Sequence, residues 1–284
     1  MATQCVRSKQ QSKGGLMETH SHQLDWTNSA LISHDIESMY VNQVIQHYHR
    51  CLLESPKALD YLVSGRGIGL QAIKAFKVGF VDRSIGKHIP SGDVASGALI
   101  RGALRRKGLL KVNGRERFRG CVVVPLYDQL GCLVNIYGRR VSSRLRDGCS
   151  SYQLINSEAS DFFNVGVLQH FKRIVLCSSP IEALTLWTKE IHNVVSTAGL
   201  LHFNSHHAEC IGDSSVKHVD IVFTNSSAGN RKSYLIAQDL ALFGIKTNIV
   251  SLPRGQDVND LHRYSLMFDS ILSDFLHQNN QALH

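Results

Sequence analysis

No apolar run in the sequence approaches the roughly 20 residues that a membrane-spanning helix requires, which excludes a chain held in a bilayer by such helices. The opening stretch, MATQCVRSKQQSKGG, has no apolar segment and so does not read as a secretory signal. The seven cysteines stand at 5, 51, 121, 132, 149, 177 and 210, with no CxxC pair among them. That spacing gives no zinc ribbon, and an odd, scattered set fits a reducing compartment, hence a cytoplasmic protein. Charged residues make up only 19% of the chain, and acids are the scarcer sign: 23 against 31 Lys and Arg, for a net charge of +8 with His neutral. There is no internal repeat, low-complexity tract or heptad pattern, and the two glycines between Lys107 and Arg119 form no P-loop. What is present is a 284-residue chain that is 43% hydrophobic, enough to bury the core of one large domain or two modest ones.

The basic residues are concentrated. Between Arg101 and Arg146 there are twelve of them and only two acids, Glu116 and Asp128, so this stretch carries +10 while the rest of the chain carries −2. A local excess of that size on a near-neutral body predicts a face for a polyanion, nucleic acid first among them.

Residues 1–33 are polar and rich in Ser, Gln and His, and read as a flexible leader. From Ser33, apolar residues recur every four positions at Ile36, Tyr40, Val44, Tyr48 and Leu52, which predicts one face of a helix. Short helices follow at 57–63, closed by Gly65-Arg66-Gly67, and at 70–76, then a short strand at 78–81. Segments 121–126 and 132–137 read as a hairpin around Asp128-Gln129-Leu130-Gly131, with basic residues at both open ends. After Lys172 the pattern alternates: strands at 173–177, 193–197, 219–223 and 246–252, and helices at 181–189 and 231–243, the last stopped by Gly244. Such alternation predicts an α/β unit, a small mostly parallel sheet with helices on both faces. Chemistry in such sheets sits at the carboxyl ends of the strands, here 178–182, 224–229 and 257–260.

Several motifs run in a telling order. Tyr48-His49, Ser55-Pro56, Tyr61-Leu62-Val63-Ser64-Gly65-Arg66-Gly67 and Phe76-Lys77-Val78-Gly79-Phe80 come first. Arg117-Phe118-Arg119-Gly120, Val124-Pro125-Leu126-Tyr127-Asp128, Gly131 and Gly138-Arg139-Arg140-Val141 follow, then Phe163-Asn164 and finally Gly255-Gln256-Asp257-Val258-Asn259-Asp260. From about Ile36 to Leu261 this order resembles the catalytic core of bacterial DnaG-type DNA primases. The resemblance implies an α+β basic N-terminal subdomain at 34–165, an α/β Toprim domain at 166–266, and a C-terminal helix or tail at 267–284.

A Toprim domain of this family carries Glu in an E-G-x-x-D pattern after its first strand and D-x-D after its third, because carboxylates hold the divalent metals of phosphoryl transfer. In the aligned positions this chain has Ser178 for the Glu, Ser179 for the Gly, Glu182 for the Asp, and Thr224 and Ser226 for the two Asp of D-x-D. Hydroxyls are neutral and do not replace those charges. Asp220, placed before the third strand, lies at the wrong end of the sheet to compensate. Asp257 and Asp260 remain as candidate metal ligands, with capping of the next helix as their alternative role. The resemblance therefore implies a degenerate Toprim and leans away from an enzyme. The leading reading is an accessory protein in replication, transposition or defence of a mobile element. It would bind single-stranded DNA or another nucleic acid through Arg105, Arg106, Lys107, Arg117, Arg119, Arg139 and Arg140. Two alternatives stand beside it: an active primase or nucleotidyltransferase with a rearranged Mg²⁺ or Mn²⁺ site, the only reading that needs a cofactor, and a protein-interaction module of a larger nucleoprotein complex. No Cys/His set near the N-terminus forms the zinc module of the family's primases, so a separately encoded zinc-finger protein is a candidate partner.

Two other constellations read as structural. His202, His206, His207, Glu209 and Cys210 are dense in ligand atoms, but they lack a recognised third-ligand spacing and read as a polar exposed helix. Ser178-Ser179 follows a strand, but without G-x-S-x-G or an adjacent base it is no hydrolase elbow.

Overall fold

The computed structural model of the protein describes residues 33–142, 148–157 and 161–264. The expected leader and C-terminal tail, and Arg144 and Arg146 of the basic run, lie outside them.

The first part of the chain builds an antiparallel sheet. Helix α1 (Ser33–Leu53) buries Tyr40, Val44, Tyr48 and Leu52 at the expected four-residue spacing. Helix α2 (Pro56–Arg66) runs further than its apolar pattern suggested. Ser55 caps its start on Ala58 N–H, Pro56 supplies a preset φ, and Gly67 ends it in the left-handed region. Helix α3 (Leu70–Ala75), strand β1 (Gly79–Phe80), helix α4 (Ile85–His88) and helix α5 (Ala95–Arg106) follow. Strands β2 (Cys121–Tyr127), β3 (Leu133–Arg140) and β4 (Tyr152–Leu154) complete a sheet in the order β1-β2-β3-β4. Pro125 is tolerated in β2 because β1 pairs only as far as Val123, leaving that flank of the strand an edge.

The second part is parallel. After α6 (Val167–His170) come β5 (Arg173–Cys177), α7 (Pro180–Thr188), β6 (Val194–Ser196), α8 (Ser205–Gly212), β7 (His218–Val222), α9 (Ser227–Ala241), β8 (Lys246–Ile249) and α10 (Val258–Tyr264). The strand order is β6-β5-β7-β8, all parallel. Among the described residues no helix is long and apolar enough to cross a membrane.

Period-2 alternation in the strands sorts the interior into three layers. Cys121, Val123 and Ile136 face outward onto α1 and α5. Val122, Val124, Leu126 and Tyr137 face inward and pack with Val175 and Cys177 of the parallel sheet, with α2, α3, α7 and α10 around them. Ile174, Leu176, Val219 and Ile221 face the far side, onto α8 and α9. The two sheets therefore share one central layer. Phe163, just before the sequence-expected boundary at 165/166, already bridges antiparallel to Ser196.

The structure differs from the sequence reading at five places. Helix α5 and strand β4 did not stand out in the sequence. Helix α9 starts at Ser227 rather than 231, and strand β8 ends at Ile249 rather than 252. Asp220 lies inside β7, not ahead of it. It is fully buried, held by Arg173 Nε and Nη2 at 2.7 and 2.8 Å, and accepts from Asn248 Nδ2 at 3.0 Å.

Candidate nucleic-acid interface and the parallel-strand ends

Two arrangements carry the chemistry. The first is a basic cleft on the antiparallel half. Between α5 and β2 the chain makes a tight loop: Lys111 N–H donates to Arg115 O, Gly114 N–H to Lys111 O, and Leu110 bridges to Glu116. That loop presents Lys111 and Arg115, and its descending limb presents Arg117 and Arg119. Pairing of Cys121 with Arg140 brings the end of β3 alongside, and Arg83 joins from the turn after β1. The resulting cleft, about 350 Å³, is lined by six cations and one acid, Glu116. Arg117 reaches Leu154 O and Ile155 O with Nη1, both at 3.3 Å, while its buried Nε has no protein partner. Glu116 is buried at 6% exposure and accepts from Tyr48 Oη at 3.1 Å. Burial, reinforced by the charge of Asp82, pushes its carboxyl up to about 7.

The sequence-expected basic residues divide. Arg117, Arg119 and Arg140 meet in this cleft. Arg106 and Lys107 lie elsewhere, both beside Glu37, with Arg106 Nε donating to it at 2.7 Å. Arg105 is exposed at the end of α5 and lines no part of the cleft. Arg139, one residue from Arg140 and so on the opposite face of the sheet, bonds Ser151 Oγ, Tyr61 and Tyr137. Arg101 is spent on the carbonyls of Ile89 and Pro90. Arg83, outside the basic run, was not expected; only the pairing of β1 with β2 brings it in.

The second arrangement lies at the carboxyl ends of the parallel strands. Ser179 caps α7, and Glu182, in the first turn of that helix, folds back over it. Glu182 accepts from Ser178 Oγ at 2.7 Å, Ser179 Oγ at 3.0 Å and Ser178 N–H at 3.3 Å. It is buried, at 4% exposure. Burial first, and then the negative charge of Asp257, push its carboxyl up to about 7. Asp257 is itself raised, by burial and by Asp260. Asp257 and Asp260 cap α10 reciprocally: Asp260 N–H donates to Asp257 Oδ1 at 2.8 Å and Asp257 N–H to Asp260 Oδ2 at 3.3 Å. Ser226 caps α9 by accepting from Gly229 N–H at 3.1 Å. A Cβ on Gly229 would lie 2.0 Å from Thr224 O, so this close turn requires glycine. Asn225 N–H donates to Gln256 O and Gly255 N–H to Asn225 O, clasping the Thr224–Ser226 turn to the loop that carries Asp257.

Linkage gives the pH behaviour of Glu182. Its folded-state pKa is raised from 4.5, so the folded form binds the proton more tightly. Stability associated with this group is full below about pH 4.5 and is lost as pH rises towards 7. Glu182→Gln is expected to stabilise the protein by about 1–3 kcal/mol at pH 8, with the gain fading below pH 5. Urea denaturation at the two pH values measures it, and an equal effect at both would contradict the assignment.

The histidine-rich segment does not gather into one site. His207 is wholly buried as part of the capping box of α8, stacked on Phe203. The expectation of an exposed polar helix therefore fails for that residue. His202 bonds Tyr152 Oη, and His206 stays exposed beside Glu209. Ser178 Oγ donates to the Glu182 carboxylate.

Residues 175–262 match the Toprim-like family model. Over 242 residues the chain is 27% identical to the DNA primase of Aquifex aeolicus, covering 79% of this chain and 46% of that protein. It is 24% identical over 254 residues to the DNA primase of Deinococcus radiodurans, covering 84% and 42%. The chain thus spans under half the length of these relatives. Among solved structures, the zinc-binding and RNA polymerase domains of Aquifex aeolicus primase superpose with a TM-score of 0.72 at 20% identity, covering 89% of this chain and 62% of that one. The DnaG primase catalytic domain bound to ssDNA superposes at 0.68 and 17% identity, covering 88% and 80%. The fold is an α+β half followed by a Toprim-like α/β half, in the arrangement of a DnaG-type primase core.

Proposed function

We propose that this DnaG-type primase core is a nucleic-acid-binding protein whose working surface is the basic cleft and whose Toprim-like half serves as scaffold. The observation that carries the reading is the contrast between the two arrangements. The cleft gathers six cations around a single acid, and one guanidinium nitrogen there is buried without a protein partner. The strand ends hold hydroxyls at 178, 224 and 226, and their carboxylates are already committed: Glu182 to three donors, Asp257 and Asp260 to a helix start. A Mg²⁺ ion demands deprotonated oxygen ligands in near-octahedral geometry. Hydroxyls at 178, 224 and 226 and two aspartates already spent on capping a helix do not meet that demand. Single-stranded nucleic acid suits an open groove of cations, and an accessory role in replication, transposition or defence of a mobile element suits a binding core without chemistry.

The direct test is templated primer synthesis by the purified chain with Mg²⁺ or Mn²⁺, a single-stranded template and nucleoside triphosphates. No product above background is expected. Product that disappears on Asp257→Ala would overturn the scaffold role and establish the nucleotidyltransferase alternative, which the nearness of Glu182 and Asp257 favours.

Glu116 makes the cleft pH-sensitive. Below about 7 its carboxyl is neutral; above it the carboxylate cancels one cation. Oligonucleotide affinity is expected to fall roughly three- to tenfold from pH 6 to pH 8, about 1 kcal/mol for one partly screened charge. Glu116→Gln should flatten that dependence, and titration by fluorescence anisotropy at the two pH values checks it.

A further inference from the structure

Away from both arrangements, α1 and the turn after β1 bring together three residues whose ligand atoms all lie within 4.8 Å of one another: His47, Cys51 and Asp82. They are the sole group of three or more ligand-type side chains so placed among the described residues. His47 and Cys51 sit four apart on α1, on one face and both buried, while Asp82 is exposed and opens the group to solvent. His47 Nε2 stands 3.4 Å from Cys51 Sγ. In a tetrahedral zinc site, with metal–nitrogen and metal–sulfur bonds of about 2.1 and 2.3 Å, those two atoms are about 3.6 Å apart. Ser84 Oγ lies beside the group, 2.8 Å from His47 Nε2 and 3.9 Å from Cys51 Sγ, and donates to Asp82 Oδ1 at 2.7 Å; an ion held by the three displaces these hydroxyl contacts. The turn that aims Asp82 at α1 is held at a cost: Arg83 has φ 79°, a left-handed conformation that a non-glycine residue keeps only where its surroundings impose it.

We propose that His47, Cys51 and Asp82 form a binding site for one zinc-type divalent ion, with solvent in the fourth position. The charges suit it: a neutral imidazole, a thiolate and a carboxylate sum to −2 and neutralise the ion. On binding, the metal–sulfur bond forms, the S–H bond breaks, and the proton passes to solvent. The ion would clip α1 to the turn that carries Arg83.

Cobalt(II) titration of the full-length, chelator-stripped protein tests this. One equivalent is expected to bind with a thiolate-to-cobalt charge-transfer band and tetrahedral d–d absorption, and to release one proton per ion at pH 7. Zinc should displace it. Cys51→Ala should abolish the charge-transfer band. Asp82→Asn changes an exposed side chain and so keeps the fold; it should weaken binding roughly tenfold or more while retaining the band. Cys210→Ser, which removes the exposed His206–Cys210 pair, should change nothing. Absence of saturable binding by the wild-type protein, a charge-transfer band that survives Cys51→Ala, or Asp82→Asn binding as tightly as wild type would each overturn the assignment.

Discussion

Replacing Arg173 with methionine is expected to destabilise the protein by about 3–5 kcal/mol, the cost of leaving a buried charge without its partner. Methionine keeps most of the aliphatic stem, so the loss reports on the guanidinium. Asp220 is wholly inaccessible and takes a two-pronged bond from Arg173 across the adjacent parallel strands β5 and β7. With the arginine gone, Asn248 Nδ2 and a His218 ring nitrogen 3.7 Å away are the polar groups left near the carboxylate. A melting temperature lower by roughly 10 °C should accompany the loss. The double change Arg173→Met with Asp220→Leu should recover much of the stability, since replacing both partners by apolar groups removes the desolvation problem. Guanidinium denaturation of the three proteins is the check. A single-variant loss under about 1 kcal/mol would show that the pair contributes little to holding the parallel sheet.

The second large effect lies in the cleft. Changing Arg115, Arg119 and Arg140 together to alanine is expected to lower single-stranded DNA affinity about 10- to 100-fold near physiological salt, with the fold intact. These three line the cleft without the carbonyl contacts that tie Arg117 to β4. Arg106→Ala is the control: its guanidinium pairs with Glu37 away from the cleft, and its loss should leave affinity nearly unchanged. Anisotropy at fixed salt separates the two variants.

Much of the fold was legible because the patterns were local. The four-residue spacing from Ile36 to Leu52 is α1, and the run Arg-Ile-Val-Leu-Cys at 173–177 is β5 to the residue. Helix α5 was hidden by Gly97 and Gly102, which weaken a helical pattern. Gly97 is there because the Ser91 and Pro90 carbonyls press against that turn of helix, a contact no sequence pattern reveals. The basic face was legible as charge and not as geometry. Strand alternation turns Arg139 and Arg140 to opposite faces, and Glu37 takes Arg106. Arg83, far ahead of Arg119 in the chain, reaches the same cleft only through the pairing of β1 with β2.

The strand ends were half legible. The hydroxyls at 178, 224 and 226 could be read directly, whereas the fold-back of Glu182 onto Ser178 and Ser179 depends on the first turn of α7. The expected strand at 219–223 already held Asp220, but an acid inside an apolar run was set ahead of the strand until its partner, 47 residues away, was known. His47 and Cys51 carried a signal in their four-residue spacing on a helix, but Asp82 joins them only through the packing of α1 against β1.

The central claim is that nucleic acid is held by the cleft and not by the Toprim strand ends. The salt dependence of single-stranded DNA binding tests it most directly, with three proteins side by side: wild type, the Arg115/Arg119/Arg140 alanine variant, and Glu182→Gln with Asp257→Asn. Each phosphate contact contributes about −0.7 to the slope of log K against log salt on a single strand. Loss of three contacts should therefore flatten the slope by about 2 in the cleft variant and leave it unchanged in the strand-end variant. A slope that flattens in the strand-end variant and persists in the cleft variant would contradict the account.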